Sequence, residues 1–430
     1  MARFQAPRGT RDLLPIEKTA FSRLESIAAD LAERYGYQPI ETPLFEQSEV
    51  FERGVGGVTD VVEKELFRVQ AGRGDEERER WALRPEPTAG IVRAYLQHGM
   101  QTWPQPVRLA TFGPMFRYDR PQAGRFRQFW QFDVEAIGDP GPAVDAEIID
   151  LARRFYLDSG LAEPRLLLNS IGDAACRPAY VADLAAYYRR HEARLPAIER
   201  NRLERNPLRL LDSKEPVMLE LNAAAPSIGE RLCGPCAEHF AGVTAHLDTI
   251  GIASTIEPRL VRGLDYYTRT TFEFVPQDAH GQQSAIGGGG RYDGLVELLG
   301  GRPTPGIGFG IGIDRLILAL TEQGVVAPSL PHPTAVVVGA DPSDTATRLV
   351  IATELRAAGV SARADLAVRK LSRQLEGAAR DGAHFAVICG DELDAGQVQL
   401  RDLEAGTQRV VARADLGREL LRAAKSHRHG

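Results

Sequence analysis

A chain of 430 residues, 43% hydrophobic and 26% charged, has the composition of a soluble globular protein of roughly two to three domains. Its formal charge of −6 argues against a surface coated in positive charge for unselective nucleic-acid binding. No apolar stretch approaches the roughly 20 residues that span a bilayer, and Met1 to Arg8 lack the apolar centre of a secretory signal, so a cytoplasmic location is expected.

Taken in chain order, the acidic run Asp75 to Glu79 reads as a loop tip. Arg117, Arg120, Arg125 and Arg127 then form a local basic patch interleaved with Phe116, Tyr118 and Phe126. From Phe129 to Ile137, Trp130, Phe132, Val134 and Ala136 alternate with Phe129, Gln131, Asp133 and Glu135, which predicts an amphipathic strand. The arm Thr111 to Arg117 precedes it across a polar loop, Tyr118 to Arg125, containing Pro121 and Gly124; a long antiparallel hairpin is expected. Such a hairpin aims Arg117, Gln131 and Glu135 at one small ligand.

Residues 174–245 are rich in Ala, Leu, Arg and Glu and predict a mostly helical insertion. The four cysteines include one close pair, Cys233 and Cys236, so neither a disulfide framework nor a two-pair zinc site is supported. His239 would bring the candidate metal ligands there to three; no metal is assigned to protein side chains.

Arg262 to Thr268 (Arg-Gly-Leu-Asp-Tyr-Tyr-Thr) places a cation, a carboxylate and two phenols at the entrance of the alternating run Thr270 to Val275. If the strand period extends back, Asp265, Tyr267, Arg269, Thr271 and Glu273 share a binding face, with Tyr266, Phe272 and Phe274 on the packing face. In Gly306 to Gly312, glycine occupies every other position. One face is then free of side chains and fits close approach by backbone or by a flat nucleotide base. A helix from Leu316 follows, with Arg315 near its start, where free N–H groups favour an anion. Gly287 to Gly290 let backbone approach a ligand but lack the lysine and hydroxyl of a P-loop.

Three prolines in Ala327 to Pro333 read as a linker. Beyond it, strand-like Ala335–Val338, helical Thr345–Ala358, strand-like Val360–Arg363, helical Arg369–Arg380 and strand-like Phe385–Cys389 predict a small α/β domain, with a basic cluster at Arg369, Lys370 and Arg373. The whole is a mixed α/β (α+β) protein with expected divisions at 1–173, 174–245, 246–325, 326–333 and 334–430.

The Pro43 stretch after Tyr37, the hairpin from Phe116-Arg117 to Glu135, and the glycine strand ending in Arg315 resemble motifs 1, 2 and 3 of class II aminoacyl-tRNA synthetases. Arg8-Gly-Thr-Arg-Asp12, Leu83-Arg-Pro-Glu86 and Arg262-Gly-Leu-Asp-Tyr-Tyr267 are similar to signatures of the histidyl-tRNA synthetase family. The resemblance covers nearly the whole chain. It implies an antiparallel catalytic sheet flanked by helices, a homodimer built partly through motif 1, a helical insertion and a C-terminal anticodon-binding domain. The implied substrates are L-histidine, ATP and tRNA(His), with Mg²⁺.

By the same resemblance, Arg117 holds the α-phosphate and substrate carboxylate, Arg315 the γ-phosphate, and Arg262 the charge that develops during attack. Phe129 stacks on adenine, and Arg125 joins the ATP-binding set. Arg120, Gln122 and Arg127, on the motif 2 loop, become acceptor-stem contacts. The substrate ammonium falls to Glu86, Thr88 and Gln131, although Thr88 also fits as a helix N-cap before Ala89. Neutral imidazole pairs one N–H donor with one acceptor nitrogen; Glu135 accepts from the first, Tyr267 donates to the second, and Tyr266 shapes the pocket.

The chain departs from the common family pattern at Pro87, where glycine is usual, at Asp133, where a small residue is usual, and at Asp314, where glutamate is common. None of these removes a reactive group. The competing expectation is a non-catalytic, histidine-binding regulatory subunit of ATP phosphoribosyltransferase. Such proteins typically lack the C-terminal domain and parts of the arginine set, whereas this chain has Arg117, Arg262, Arg315 and a full tail.

Overall fold

The computed structural model describes residues 4–55, 59, 61–69, 80–122, 124–277, 285–325 and 330–427. The acidic run at 75–79 and residues 326–329 of the proline-rich linker fall outside them. The chain divides into two compact units, Met1–Pro328 and Ser329–Gly430.

The first unit is built on a sheet of eight strands: β1 (Gln38–Pro39), β2 (Val107–Phe116), β3 (Gln128–Ile137), β4 (Arg165–Ser170), β5 (Ser254–Ile256), β6 (Thr268–Val275), β7 (Gly287–Arg291) and β8 (Gly306–Gly312). Their order across the sheet is β1-β2-β3-β8-β7-β6-β4-β5. The outer pairs β1/β2 and β4/β5 are parallel and every pair between them is antiparallel. The expected hairpin forms as β2 and β3, paired from Phe116 opposite Gln128 to Val107 opposite Ile137.

Period-two alternation decides what each face of the sheet does. Phe132, Val134 and Ala136 of β3, Ile307, Phe309 and Ile311 of β8, and Phe272 and Phe274 of β6 are buried together against helices Pro15–Arg34, Pro142–Ser159, Gly234–Thr249 and Ile313–Glu322. Gln131, Asp133 and Glu135 therefore face the other way. That side is partly roofed by helix Thr88–Gln97 and by Tyr266, Tyr267, Tyr292 and Leu295.

The strand period does not extend back to Asp265. Strand β6 begins at Thr268, and its register against β7 slips between Gly290 and Arg291, where Arg291 pairs with Thr268 and Gly290 with Thr271. Arg269 takes up the extra length at φ 50°, held by bonds from its N–H to Gly172 O (2.7 Å) and from Ile171 N–H to its carbonyl (2.8 Å). As a result Tyr266 and Tyr267, predicted on opposite faces, are both buried with rings 4.7 Å apart, while Asp265 turns toward Asn206 and Arg209.

Residues 177–249 are helical, in helices and short turns from Arg177–Arg190 to Gly234–Thr249. His239 does not join the cysteines. Its Nε2 lies 2.9 Å from Asp145 Oδ2, in a buried network where Thr270 Oγ1 donates to Asp145 (2.6 Å) and Arg291 forms a 2.8 Å ion pair with it. A buried carboxylate with this many partners ties one helix to the next and to two strands.

The second unit is a five-stranded sheet with three inner or edge strands, Ala362–Ala364, Ala335–Gly339 and Phe385–Cys389, parallel in that order, extended antiparallel by Gln397–Asp402 and Gln408–Ala412. Helices Thr345–Ala357, Leu371–Arg380 and Leu416–His427 accompany it. Arg369 and Lys370, expected within a helix, precede it instead, and Arg369 pairs with Asp365.

Candidate active site

The bare face of β8 is not left for a flat base. A Cβ on Gly308 would stand 1.9 Å from Glu135 Oε2, one on Gly310 2.5 Å from Asp133 Oδ1, and one on Gly306 2.2 Å from the Tyr292 ring. The glycines thus make room for side chains of the neighbouring strand and of Tyr292. At Gly288 and Gly289 a Cβ would meet the carbonyls of Phe272 (2.3 Å) and Gly308 (2.0 Å), so those glycines serve close strand approach, and Gly288 also lines the cleft above this face.

Over this face lies a cleft lined by Glu86, Thr88, Arg117, Gln131, Asp133, Glu135, Arg262, Tyr266, Tyr267 and Tyr292, with Leu264, Phe309 and three glycines. Every residue assigned to histidine from the sequence is among them. Tyr292 is not foreshadowed; it follows Arg291 in a segment without an evident pattern, yet its hydroxyl donates to Glu135 Oε2 at 2.6 Å. Thr88 Oγ1 donates to Glu135 Oε1, also at 2.6 Å. The expected N-cap role of Thr88 passes to Glu86, whose carboxylate accepts from the N–H of Thr88 (2.8 Å) and of Ala89 (3.0 Å). Pro87, the departure from the family pattern, is the residue that enters this helix.

Three carboxyl groups share the dry floor of the cleft. Burial pushes the Glu135 carboxyl up to about 8, against the lowering effect of the Thr88 and Tyr292 hydroxyls. Burial, then the nearby Glu135 and Glu86, raises Asp133 well above the usual carboxylate range. Burial also raises Glu86, opposed by its helix N–H donors. Among the described residues, Asp133 Oδ2 and Gln131 Oε1 are buried acceptors without a protein donor, and Arg262 Nε is a buried donor without a protein acceptor. Such groups are costly unless a ligand pairs with them.

The other end of the cleft is cationic. Arg117 donates from Nε to Pro85 O (2.9 Å), and its guanidinium stands 5.3 Å from the Phe129 ring centre. Arg262 pairs with Glu273 at 2.5 Å and stands 5.8 Å from the Tyr267 ring centre. Arg315, in the first turn of its helix, donates to Ala285 O at 2.6 Å. Burial, then the neighbouring Arg125 and Arg117, lowers the pKa of Arg315. Lys214, an exposed residue of the helical segment, lies within electrostatic reach of Arg125 and Arg315: partial desolvation lowers its pKa, Asp212 opposes, and the two arginines lower it further. Sequence reading missed Lys214, because nothing local ties residue 214 to residue 315.

On the hairpin loop, Arg125 forms an ion pair with Asp119 (3.1 Å) and Arg120 and Gln122 are exposed. Arg127 is engaged elsewhere: its guanidinium stands 3.8 Å from the Tyr118 ring centre and donates to Arg8 O at 3.2 Å. Arg11, from the same N-terminal stretch, ion-pairs with Asp314 at 2.8 Å.

The model of the family described as histidyl-tRNA synthetase matches residues 9–316, and that of the anticodon binding domain matches residues 333–423. The chain belongs to the histidyl-tRNA synthetase family. Among its relatives, the histidine-tRNA ligase of Pelotomaculum thermopropionicum is 47% identical over 94% of each chain. That of Desulforudis audaxviator is 46% identical over 97% of this chain and 99% of its own. The apo crystal structure of the S. aureus histidyl-tRNA synthetase superposes with a TM-score of 0.80 at 33% identity, covering 97% of this chain and 99% of that one. As a histidyl-tRNA synthetase family member the chain is a class II aminoacyl-tRNA synthetase, and its antiparallel-dominated sheet and C-terminal anticodon-binding domain are those of the family. No helix among the described residues is long and apolar enough to cross a membrane.

Proposed function

We propose that this chain joins L-histidine to tRNA(His) in two steps: the histidine carboxylate attacks the α-phosphate of ATP and expels pyrophosphate, then the histidyl group passes to the terminal adenosine of the tRNA. The observation that carries the reading is the set of unpaired buried groups in one cleft. Among the described residues, Gln131 Oε1 and Asp133 Oδ2 lack donors and Arg262 Nε lacks an acceptor, which complements an ammonium and a carboxylate on one small molecule. Imidazole would take the floor, where Glu135 and Tyr267 supply the partners for its two nitrogens.

Activation needs positioning and charge stabilisation more than a protein nucleophile. Arg117 would bridge the substrate carboxylate and α-phosphate, and Arg262 would meet the charge that builds between them. Arg315 and Arg125, joined by Lys214, form a cationic group suited to the remaining phosphates, with Phe129 beside Arg117 as the aromatic surface for adenine. Mg²⁺ bound with ATP would supply further positive charge to the phosphates. Glu273, already beside Arg262, is a carboxylate of the kind that holds such an ion together with phosphate oxygens. Glu86 and Thr88 complete the ammonium end, Tyr266 the wall, and Arg120, Gln122 and Arg127 the loop that would meet the acceptor stem.

The C-terminal unit would read the anticodon, with 174–245 as the insertion and 326–333 as the linker. Exposed Leu44 and Phe45 beside Pro43, at 39% and 49% accessibility, support a homodimer through motif 1. Four free cysteines suit the reducing cytoplasm. Arg125 and Arg315, the cations assigned to phosphate alone, would have no ligand in a subunit that only binds histidine.

Histidine-dependent exchange of pyrophosphate into ATP, followed by charging of tRNA, tests this directly. Exchange that responds to histidine and to no other amino acid is expected. A folded protein that performs no exchange would overturn the reading, and exchange without charging would confine it to activation.

A further inference from the structure

We propose that Asp173, Cys176, Cys233 and Cys236 form a zinc site that clips together the two ends of the helical segment. The sequence offered only the Cys233-x-x-Cys236 pair with His239, and folding exchanges that histidine for two ligands from far upstream. The three sulfurs and a carboxylate oxygen lie within 4.8 Å of one another, the one such group of ligand types found among the described residues. Tetrahedral zinc with Zn–S bonds of about 2.3 Å needs sulfurs roughly 3.8 Å apart, so only small side-chain adjustments are required. Asp173 Oδ1 already stands 3.7 Å from Cys176 Sγ and 3.9 Å from Cys233 Sγ, although Asp173 and Cys233 are 60 positions apart.

The surroundings suit thiolates. Cys176 immediately precedes helix Arg177–Arg190 and Cys233 precedes helix Gly234–Thr249, so two helix N-termini meet at the cluster and favour negative charge there. Three thiolates and a carboxylate exceed the charge of one divalent ion. Arg269, 3.4 Å from Asp173, and Arg177, half-buried and within electrostatic reach of Cys176, Asp173 and Cys236, offset the excess. A donor set dominated by sulfur selects zinc over magnesium or calcium. Binding is not a redox step: each thiol still protonated releases its proton to the buffer as its sulfur takes the metal. A Cys-Gly-Pro-Cys stretch at a helix start also fits a redox dithiol, but a disulfide there would use two sulfurs and leave Cys176 and Asp173 converging on nothing.

The clip also supports the catalytic cleft. Arg177 donates to Ile171 O (3.0 Å) and to the carbonyl of Tyr267 (2.6 Å), and Arg269 carries the bulge through which the chain enters β6. Metal content is nevertheless read without any assay of catalysis, so the site stands or falls independently of the proposed activity.

The full chain, purified without chelator, should contain about one zinc per chain by elemental mass spectrometry. Cobalt titrated into chelator-stripped protein should give near-ultraviolet sulfur-to-cobalt charge-transfer absorption and the strong visible bands of a tetrahedral site. Cys389→Ser, which alters the cysteine outside the cluster, should keep both signals, and the double variant Cys233→Ser/Cys236→Ser should lose them. The proposal is overturned by wild-type protein that is folded by circular dichroism yet holds no zinc and gives no cobalt bands. It is equally overturned if the double variant keeps the bands, or if fresh metal-free protein carries a Cys233–Cys236 disulfide by mass.

Discussion

At the scale of single residues, Glu135 concentrates the chemistry of the cleft. Its two oxygens each accept a 2.6 Å hydroxyl bond, from Thr88 and from Tyr292, and those donors fix where the carboxyl can meet a ligand. Removing one side of the imidazole pairing should cost about 1–3 kcal/mol, or roughly 5- to 150-fold in kcat/KM for histidine. Glu135→Gln and Tyr267→Phe are therefore expected to impair histidine use in pyrophosphate exchange while leaving the KM for ATP nearly unchanged; equal loss of both would count against the assignment. Glu135 also links stability to pH. Because burial raises its folded-state pKa from the ordinary 4.5 to about 8, the folded protein binds this proton more tightly than the unfolded chain. The stability it contributes is present at low pH and is lost as pH rises through that window, by at most about 1.4 kcal/mol per pH unit. Urea denaturation of the ligand-free protein across this range should show a flatter profile for Glu135→Gln, with Asp133 and Glu86 supplying the slope that remains. An unchanged profile would refute the role given to Glu135.

At the scale of elements, β3 and β8 act as one device. Alternation in β3 sends Phe132 and Val134 to the core and Gln131, Asp133 and Glu135 to the cleft, and this much is written in the sequence. The matching alternation of glycine in β8 is just as visible, but its purpose is not. Only the register that sets Gly308 opposite Glu135 and Gly310 opposite Asp133 shows that the missing side chains make room for carboxylates. Gly308→Ala would place a methyl 1.9 Å from Glu135 Oε2. It should cost about 1–3 kcal/mol of stability and displace Glu135. The expected result in exchange assays is a raised KM for histidine, with expression and far-ultraviolet circular dichroism near wild type; wild-type histidine kinetics would refute the packing role. The entrance to β6 shows the converse. Its polar density marks a site in the sequence, yet the period fails there because Arg269 absorbs a bulge, and a bulge is set by the partner strand.

At the scale of the whole molecule, the two compact units divide the labour. The cleft with all its lining residues belongs to Met1–Pro328, and the anticodon-binding family match falls at 333–423. Removing residues 334–430 should therefore spare histidine-dependent exchange and reduce tRNA charging by at least tenfold, as expected when about 1.4 kcal/mol or more of tRNA binding is lost. Loss of exchange in a truncated protein that remains folded would show that the second unit supports the first.

What the sequence determined by itself was whatever repeats over a few residues or sits in a contiguous motif. The two-residue alternation of β3, the glycine period of β8, the Arg262 to Tyr267 run and the α/β rhythm after the linker are of this kind; they place polar groups and elements, while the ligand's identity came from the resemblance to the histidyl-tRNA synthetase family. Tertiary structure decided which distant groups meet. Tyr292 on Glu135, Lys214 within electrostatic reach of Arg315, His239 on Asp145 and Asp173 with Cys233 and Cys236 each join residues separated by tens to over a hundred positions. Local periodicity reports only the face on which a side chain lies. Convergence depends on strand order, register and helix packing, which the buried core fixes for the chain as a whole.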